Sequence, residues 1–230
     1  MTELLDAVIN NNIDTIRELI GSDANLNIQY SNGETALMIA VNKNNIDITK
    51  LLINAGVNLN IQYDFEDTVL MIAVNNDNIN ITDLLIKAGA NLNIQNYNGE
   101  TALMIAVNKN NIDITKLLIK AGADSNIQYC FGETALMIAV NKKNHDITKL
   151  LIKAGVDLNI QDHCGKTALI IAARYSLHNI VELLIKAGAN LNIKERHGYT
   201  ALDYVVSCGI NEYINQAICW YGYCECFDIL

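Results

Sequence analysis

The sequence predicts an all-α solenoid of helix-turn-helix units joined by hairpin-like loops, and three observations predict it. Thr2, Thr35, Thr68, Thr101, Thr134, Thr167 and Thr200 follow one another at a constant interval of 33 residues, as do Gly56, Gly89, Gly122, Gly155 and Gly188. Each interval holds two short runs with apolar residues at helical spacing. The stretch from the second run to the next Thr is rich in turn formers.

The stretch from Gly99 to Ala123 serves as the model unit. Thr101 is placed to N-cap the first helix, its hydroxyl accepting from a backbone N–H two or three residues on, and Leu103, Ala106 and Val107 supply the apolar spacing. Asn110 tolerates the left-handed conformation, as do Asn11, Asn44 and Asp77 at the same register, so the chain is expected to reverse there. Ile112, Leu117 and Leu118 are expected to form the apolar face of the second helix. Asp113 near its start and Lys116 and Lys120 towards its end suit the macrodipole. Gly122 ends it, and residues 124–132 are expected to form an extended loop or hairpin.

Helices this short are marginal alone, so stacking has to supply the core. Ala at 36, 40, 102, 106, 135, 139, 168 and 172 lets neighbouring helices approach closely. The repetition runs without insertion over residues 1–218, read as one domain of about seven units, and 219–230 form a C-terminal tail. The chain has 230 residues and is 51% hydrophobic and 18% charged, which suits a folded protein. A formal charge of −9 argues against nucleic acid as the main partner. No run of 18 apolar residues exists, so no membrane span is expected. Glu3, Asp6 and Asp14 lie where a secretory signal needs an apolar stretch, and six Cys without framework spacing read as free thiols, so the expected location is cytoplasmic.

These residues resemble the ankyrin repeat family, whose consensus runs Asp-x-x-Gly-x-Thr-Pro-Leu-His-x-Ala, a Gly-His reversal, then Ile-Val-x-x-Leu-Leu-x-x-Gly-Ala-Asp-x-Asn. The nearest copy joins Gly165-Lys-Thr-Ala-Leu-Ile-Ile-Ala-Ala172 to Ile180-Val-Glu-Leu-Leu-Ile-Lys-Ala-Gly-Ala-Asn190. Ala or Val replaces the family's Pro, Asn replaces its Gly-His pair, and Met38, Met71, Met104 and Met137 replace its His. Without that His, the Thr is expected to be held more by packing than by hydrogen bonds. Abundant Asn and Ile and the absence of Pro are similar to ankyrin proteins of giant DNA viruses, which implies a host cytoplasm.

The ends differ as solenoid caps should. Asp6 and Glu18 stand where inner units carry apolar residues, and Asp203 replaces Met. The tail carries Trp220, Tyr221, Tyr223 and Phe227, which suit either a plug over the last helix pair or a docking peptide. Cys219, Cys224 and Cys226 lack the two spaced pairs of a zinc site, and no metal or cofactor is expected. The four His show no active-site pairing with Cys or carboxylates, so no catalytic residues are assigned and a non-enzymatic protein is expected.

Departures from the repeat locate the candidate partner-binding residues. Phe65 and Phe131 share one loop register, and Tyr30, Tyr63, Tyr97, Tyr129 and Tyr199 also fall in loops between repeats. Tyr175 ends a first helix. The resemblance implies that loop tips and first-helix ends line a concave surface that grips proteins, so these rings suit an interface; bracing of the neighbouring loop is the alternative. Two patches break the pattern further. In Asp64-Phe-Glu-Asp67, Glu66 replaces a tip glycine, and this tip is expected to be reshaped. Lys166 replaces the Glu34, Asp67, Glu100, Glu133 pattern with positive charge, and with Arg174, Lys194, Arg196, His197, Tyr175 and Tyr199 it forms a patch that suits an acidic or phosphorylated partner.

Asn27, Asn60, Asn93, Asn126, Asn159 and Asn192 recur in the loop after the second helix, where an amide can bond the turn backbone. The resemblance also implies candidate asparaginyl hydroxylation, at Asn126 and Asn159. The expected function is a monomeric protein-protein interaction module; a self-assembling scaffold, or an adaptor acting through the tail, is the alternative.

Overall fold

The computed structural model describes residues 3–22, 24–30 and 33–207. The tail 219–230, its aromatic rings and its three Cys lie outside the described residues, as do Thr2 and Gly209. The chain divides into two compact units, Met1–Asp124 and Ser125–Leu230. In the first, α1 (Glu3–Ile9) and α2 (Ile13–Gly21), α3 (Ala36–Asn42) and α4 (Ile46–Asn54), α5 (Val69–Asn75) and α6 (Ile79–Lys87), and α7 (Ala102–Asn108) and α8 (Ile112–Lys120) form four antiparallel pairs. In the second, α9 (Ala135–Asn141) pairs with α10 (His145–Lys153) and α11 (Ala168–Arg174) with α12 (His178–Lys186), and α13 (Ala201–Ser207) follows. Each unit is an all-α stack of helix pairs.

The first helices α3, α5, α7, α9 and α11 are short and closed at their N-termini by Thr. The Thr101 hydroxyl accepts from the Met104 N–H, and the same bond recurs at Thr35, Thr68, Thr134 and Thr167. The loss of the family's His does not leave Thr to packing alone. The Met38 sulfur accepts from the Thr35 N–H at 3.4 Å, and Met71 does the same for Thr68, completing a capping box with a thioether. In α13 a carboxylate takes that role, with Asp203 Oδ2 accepting from both the N–H (2.7 Å) and the hydroxyl (2.8 Å) of Thr200.

The first helices carry the core. Ala102 to Val107 are all buried, because α7 lies against both α5 and α8, and Ala102 and Ala106 are small enough to admit those neighbours. The second helices are amphipathic, and here one expectation needs correcting. The buried residues of α8 are Ile114, Thr115 and Leu118, whereas Ile112 and Leu117 are half-buried. Ile112, two residues before Ile114, falls on the far flank of the helix. Thr115 is buried without cost because its hydroxyl donates to the Asn111 carbonyl at 2.7 Å. Asp6 on α1 and Glu18 on α2 are exposed.

The reversals between paired helices are left-handed at Asn11, Asn44, Asp77 and Asn110, with φ of 57°, 55°, 52° and 57°. Lys143 and Ser176 hold the same conformation in the second unit. Past each second helix the chain makes hairpin-like turns; Gln62–Tyr63 (β1) and Asp67–Thr68 (β2) pair antiparallel, and Gln29 bridges Thr35.

Candidate functional site

The loop hairpins and the C-terminal ends of the first helices share one face within each unit. In the first, the Asn42 amide on α3 donates to Glu34 on its hairpin at 3.2 Å. In the second, Asn141 donates to Glu133 at 2.6 Å. The loops themselves are fixed by buttressing from repeat to repeat. Gln62 donates to the Glu66 and Gln95 carbonyls at 2.7 and 3.0 Å, and Gln161 to the Gly165 and Lys194 carbonyls at 2.6 and 3.1 Å. The recurrent Asn bonds the neighbouring repeat rather than its own turn. Asn60 Oδ1 accepts from the Asn91 N–H at 2.9 Å, Asn126 from Asp157 at 2.9 Å and Asn159 from Asn190 at 2.8 Å. Asn126 and Asn159 are themselves exposed.

On this fixed frame the aromatic residues separate into two groups. Tyr30, Tyr63 and Tyr129 are half-buried. The Tyr30 hydroxyl donates to Asp6 at 3.2 Å, and Tyr129 donates to Glu133. Burial, then the Glu34 carboxylate, raises the Tyr63 phenol above its ordinary pKa. Phe65, Tyr97, Phe131, Tyr175 and Tyr199, by contrast, are 72%, 76%, 67%, 54% and 53% exposed. Phe131 leans edge-on against Tyr129, their centroids 5.6 Å apart, and Tyr199 against Tyr204 at 5.8 Å. The Tyr97 N–H donates to the Phe65 carbonyl at 2.8 Å, so the tips carrying these two exposed rings are tied together.

The Asp64–Asp67 tip is reshaped by gaining a left-handed residue. Glu66 keeps the tip glycine's conformation at φ 62°, and Phe65 joins it at φ 50°. Each non-glycine residue there costs on the order of 1–2 kcal/mol. Asp67 beside it is half-buried; desolvation raises its carboxyl pKa, and the Asn96 amide, donating at 3.0 Å, works against the rise.

The structure brings Lys166, Arg174 and Tyr175 together with Glu133, Asn141 and Asp162 around a cleft of about 110 Å³. Arg196 and Tyr199 are exposed and do not line that cleft. Glu195, in contrast, is buried, its carboxylate accepting from the N–H groups of His197 (2.9 Å) and Tyr199 (3.3 Å). Asp162 and Asn96 hold their own hairpins in the same way. Among the described residues no group of three His, Cys, Asp or Glu is arranged to hold a metal. No helix among them is long and apolar enough to cross a membrane.

The sequence reading missed two kinds of residue here. Asn12, Asn45, Asn78, Asn111 and Asn144 each N-cap a second helix, a role carried by the residue after the reversal and visible as a recurrent Asn three positions before an Ile or Thr. Tyr204 on α13 rests edge-on against Tyr199, a contact that no repeat spacing signals.

A family model described as ankyrin repeats in three copies matches residues 4–96, 50–129, 70–162 and 136–226. The chain belongs to the ankyrin repeat family. Among solved structures it is similar to the ankyrin repeat domain of Bcl-3, a member of the IkappaB protein family, with 27% identity and a TM-score of 0.81 over 89% of this chain and 93% of that one. An ankyrin repeat domain from Acinetobacter baumannii shares 30% identity with a TM-score of 0.76, over 82% of this chain and 99% of its own. The ankyrin repeat protein EF0377 shares 32% identity with a TM-score of 0.73, over 82% and 98%. No curated protein matches the chain significantly. In ankyrin terms, the exposed rings and the Lys166–Arg174 cleft fall on hairpin tips and first-helix ends.

Proposed function

We propose that this ankyrin chain is a non-enzymatic protein-interaction module, monomeric and cytoplasmic, that holds a partner protein against its hairpin tips and first-helix ends. The observation that carries the reading is the exposure of Phe65, Tyr97, Phe131, Tyr175 and Tyr199, each more than half open to solvent in a chain whose core is aliphatic. Large rings left in water on a fixed frame suit an interface, since apolar area is gained on docking and little conformational freedom is lost. The interlocking Gln and Asn bonds between repeats supply that preorganisation.

Lys166, Arg174 and Arg196 add positive charge that favours a partner with acidic surface, and the net charge of −9 disfavours nucleic acid. The Asn-rich, Pro-free composition supports a viral protein engaging a host protein. Asn126 and Asn159, exposed in their loops, are the proposed sites of occasional hydroxylation.

Proximity labelling in the native cell, comparing the wild type with a Phe65→Ala, Phe131→Ala, Tyr199→Ala variant, tests the reading. Partners recovered with the wild type are expected to be lost with the variant while its circular dichroism stays the same; an unchanged partner list rejects the aromatic surface. Light scattering separates the module from a self-assembling scaffold, which would grow in mass with concentration.

A further inference from the structure

One pair of positions carries a hydrogen bond in two repeats and two positive charges in another. Glu34 with Asn42 and Glu133 with Asn141 link a hairpin to the end of its first helix at 3.2 and 2.6 Å. The same register in the next repeat holds Lys166 and Arg174. Two cations cannot replace that bond, and they repel each other across one cleft. Lys166 is half-buried and Arg174 exposed, and neither side chain has a hydrogen-bond or ion-pair partner among the described residues.

The acids on the cleft wall are already engaged. Glu133 accepts from Asn141 on one oxygen and from the Tyr129 hydroxyl on the other. Asp162 accepts from the N–H groups of Cys164 and Lys166 at 2.8 and 2.7 Å. The two cations are thus the uncommitted donors, and Tyr175 stands beside them in the same cleft.

We infer that Lys166 and Arg174 receive the carboxylate of an Asp or Glu from an acidic segment of the partner, which occupies the place the chain's own Glu fills in other repeats. The inference rests on the interaction reading above and names the chemistry of the partner. Arg174 offers a planar fork matched to a carboxylate, and Lys166 a point charge beside it. A singly charged carboxylate suits the cleft better than a doubly charged phosphoryl group, because Glu133 and Asp162 keep two negative charges on its wall. At about 110 Å³ the cleft admits one acidic side chain and not a folded surface.

The test measures fluorescence anisotropy of three labelled peptides: one of alternating Ser and Glu, its Gln counterpart, and a counterpart with phosphoserine in place of Glu. The wild-type chain is expected to bind the Glu peptide about tenfold more tightly than the Gln peptide, the value of one charge-assisted hydrogen bond. The variant Lys166→Glu with Arg174→Asn rebuilds the pair found elsewhere, so it should fold with an unfolding midpoint no lower than wild type and lose the preference. Lys43→Glu with Lys50→Asn, at exposed positions far along the sequence, changes net charge equally and should keep it. Arg174→Gln alone gives a second, milder loss should the double variant fail to fold. Equal binding of Glu and Gln peptides, retention by the rebuilt variant, or tighter binding of phosphoserine overturns the inference. If it falls while the labelled partner list still depends on Phe65, Phe131 and Tyr199, the interaction reading survives on its own.

Discussion

The helix reversals of the first unit and those of the second make the same turn with different chemistry. In the first, Asn11, Asn44, Asp77 and Asn110 take the left-handed conformation, and the side chains of Asn11, Asn44 and Asp77 also act as acceptors. Asn45 Nδ2 donates to Asn11 at 2.7 Å, Asn78 to Asn44, and Asn111 to Asp77 at 3.1 Å, so the N-caps of α4, α6 and α8 are each tied to the reversal of the repeat before. In the second unit Lys143 and Ser176 hold the same backbone angle, and α12 begins at Leu177 with no side-chain cap. An open recess of about 300 Å³, lined by Lys143, His145, Ser176 and His178 among others, lies there. The backbone therefore dictates the left-handed turn, and the ladder is a separate addition that an Asn cap donating to an Asn or Asp reversal residue makes possible.

The first way to break this comparison is to ask whether the cores differ too. Leu118 on α8 and Leu184 on α12 are both fully buried at the same register. Each Leu→Ala change is expected to cost about 2–5 kcal/mol, and the two costs should agree within about 1 kcal/mol, if only the turns differ. Urea unfolding measures both. A much smaller loss at Leu184 would mean that the uncapped repeat is loosely packed as well.

The next sharpens the turn itself. Asn111→Ala removes the acceptor for the Ile114 N–H and the donor to Asp77 together, and should cost about 1–2 kcal/mol. Leu177→Asn runs the other way and supplies the missing cap to α12, with a gain of about 0.5–1 kcal/mol expected in the unfolding midpoint. If Leu177→Asn destabilises, the apolar contacts of this half-buried residue outweigh the cap.

The same contrast explains what was legible in the sequence. A constant interval exposes any position whose role is repeated, so the helices, their Thr caps, the left-handed reversals and the core-filling alanines could be read directly. It also made Lys166 and Arg174 visible, because other repeats supply the reference they depart from. The second member of each Asn pair was missed, since two adjacent Asn read as one turn although the first reverses the chain and the second caps a helix. Tyr63 and Tyr97 looked alike as loop tyrosines, but Tyr97 lies one position later in the register. That single step separates a half-buried brace from a ring in water. The Met sulfur at the Thr cap was invisible for another reason: Met reads as core filler, and only geometry reveals that it points at an N–H.

The finest distinction concerns Asp77, the one acid among the reversal residues. Its carboxyl lies below the ordinary pKa, first because the Asn111 amide donates to it and then because the Lys109 ammonium sits 3.1 Å away. A depressed acid stabilises the folded state at pH values above its unfolded pKa of about 3.9, and that contribution fades as pH falls through the folded value. Asp77→Asn keeps the left-handed preference and the acceptor for Asn111, and removes only the charge. At neutral pH the variant should be weaker by about 0.2–1 kcal/mol, the worth of an exposed ion pair, and the two proteins should converge once the pH has fallen below the folded pKa of Asp77. High salt should shrink the neutral-pH difference without touching the ladder bond. If the difference persists in acid, the ladder distinguishes Asn from Asp by geometry rather than charge, and the two kinds of turn differ in more than their polar chemistry.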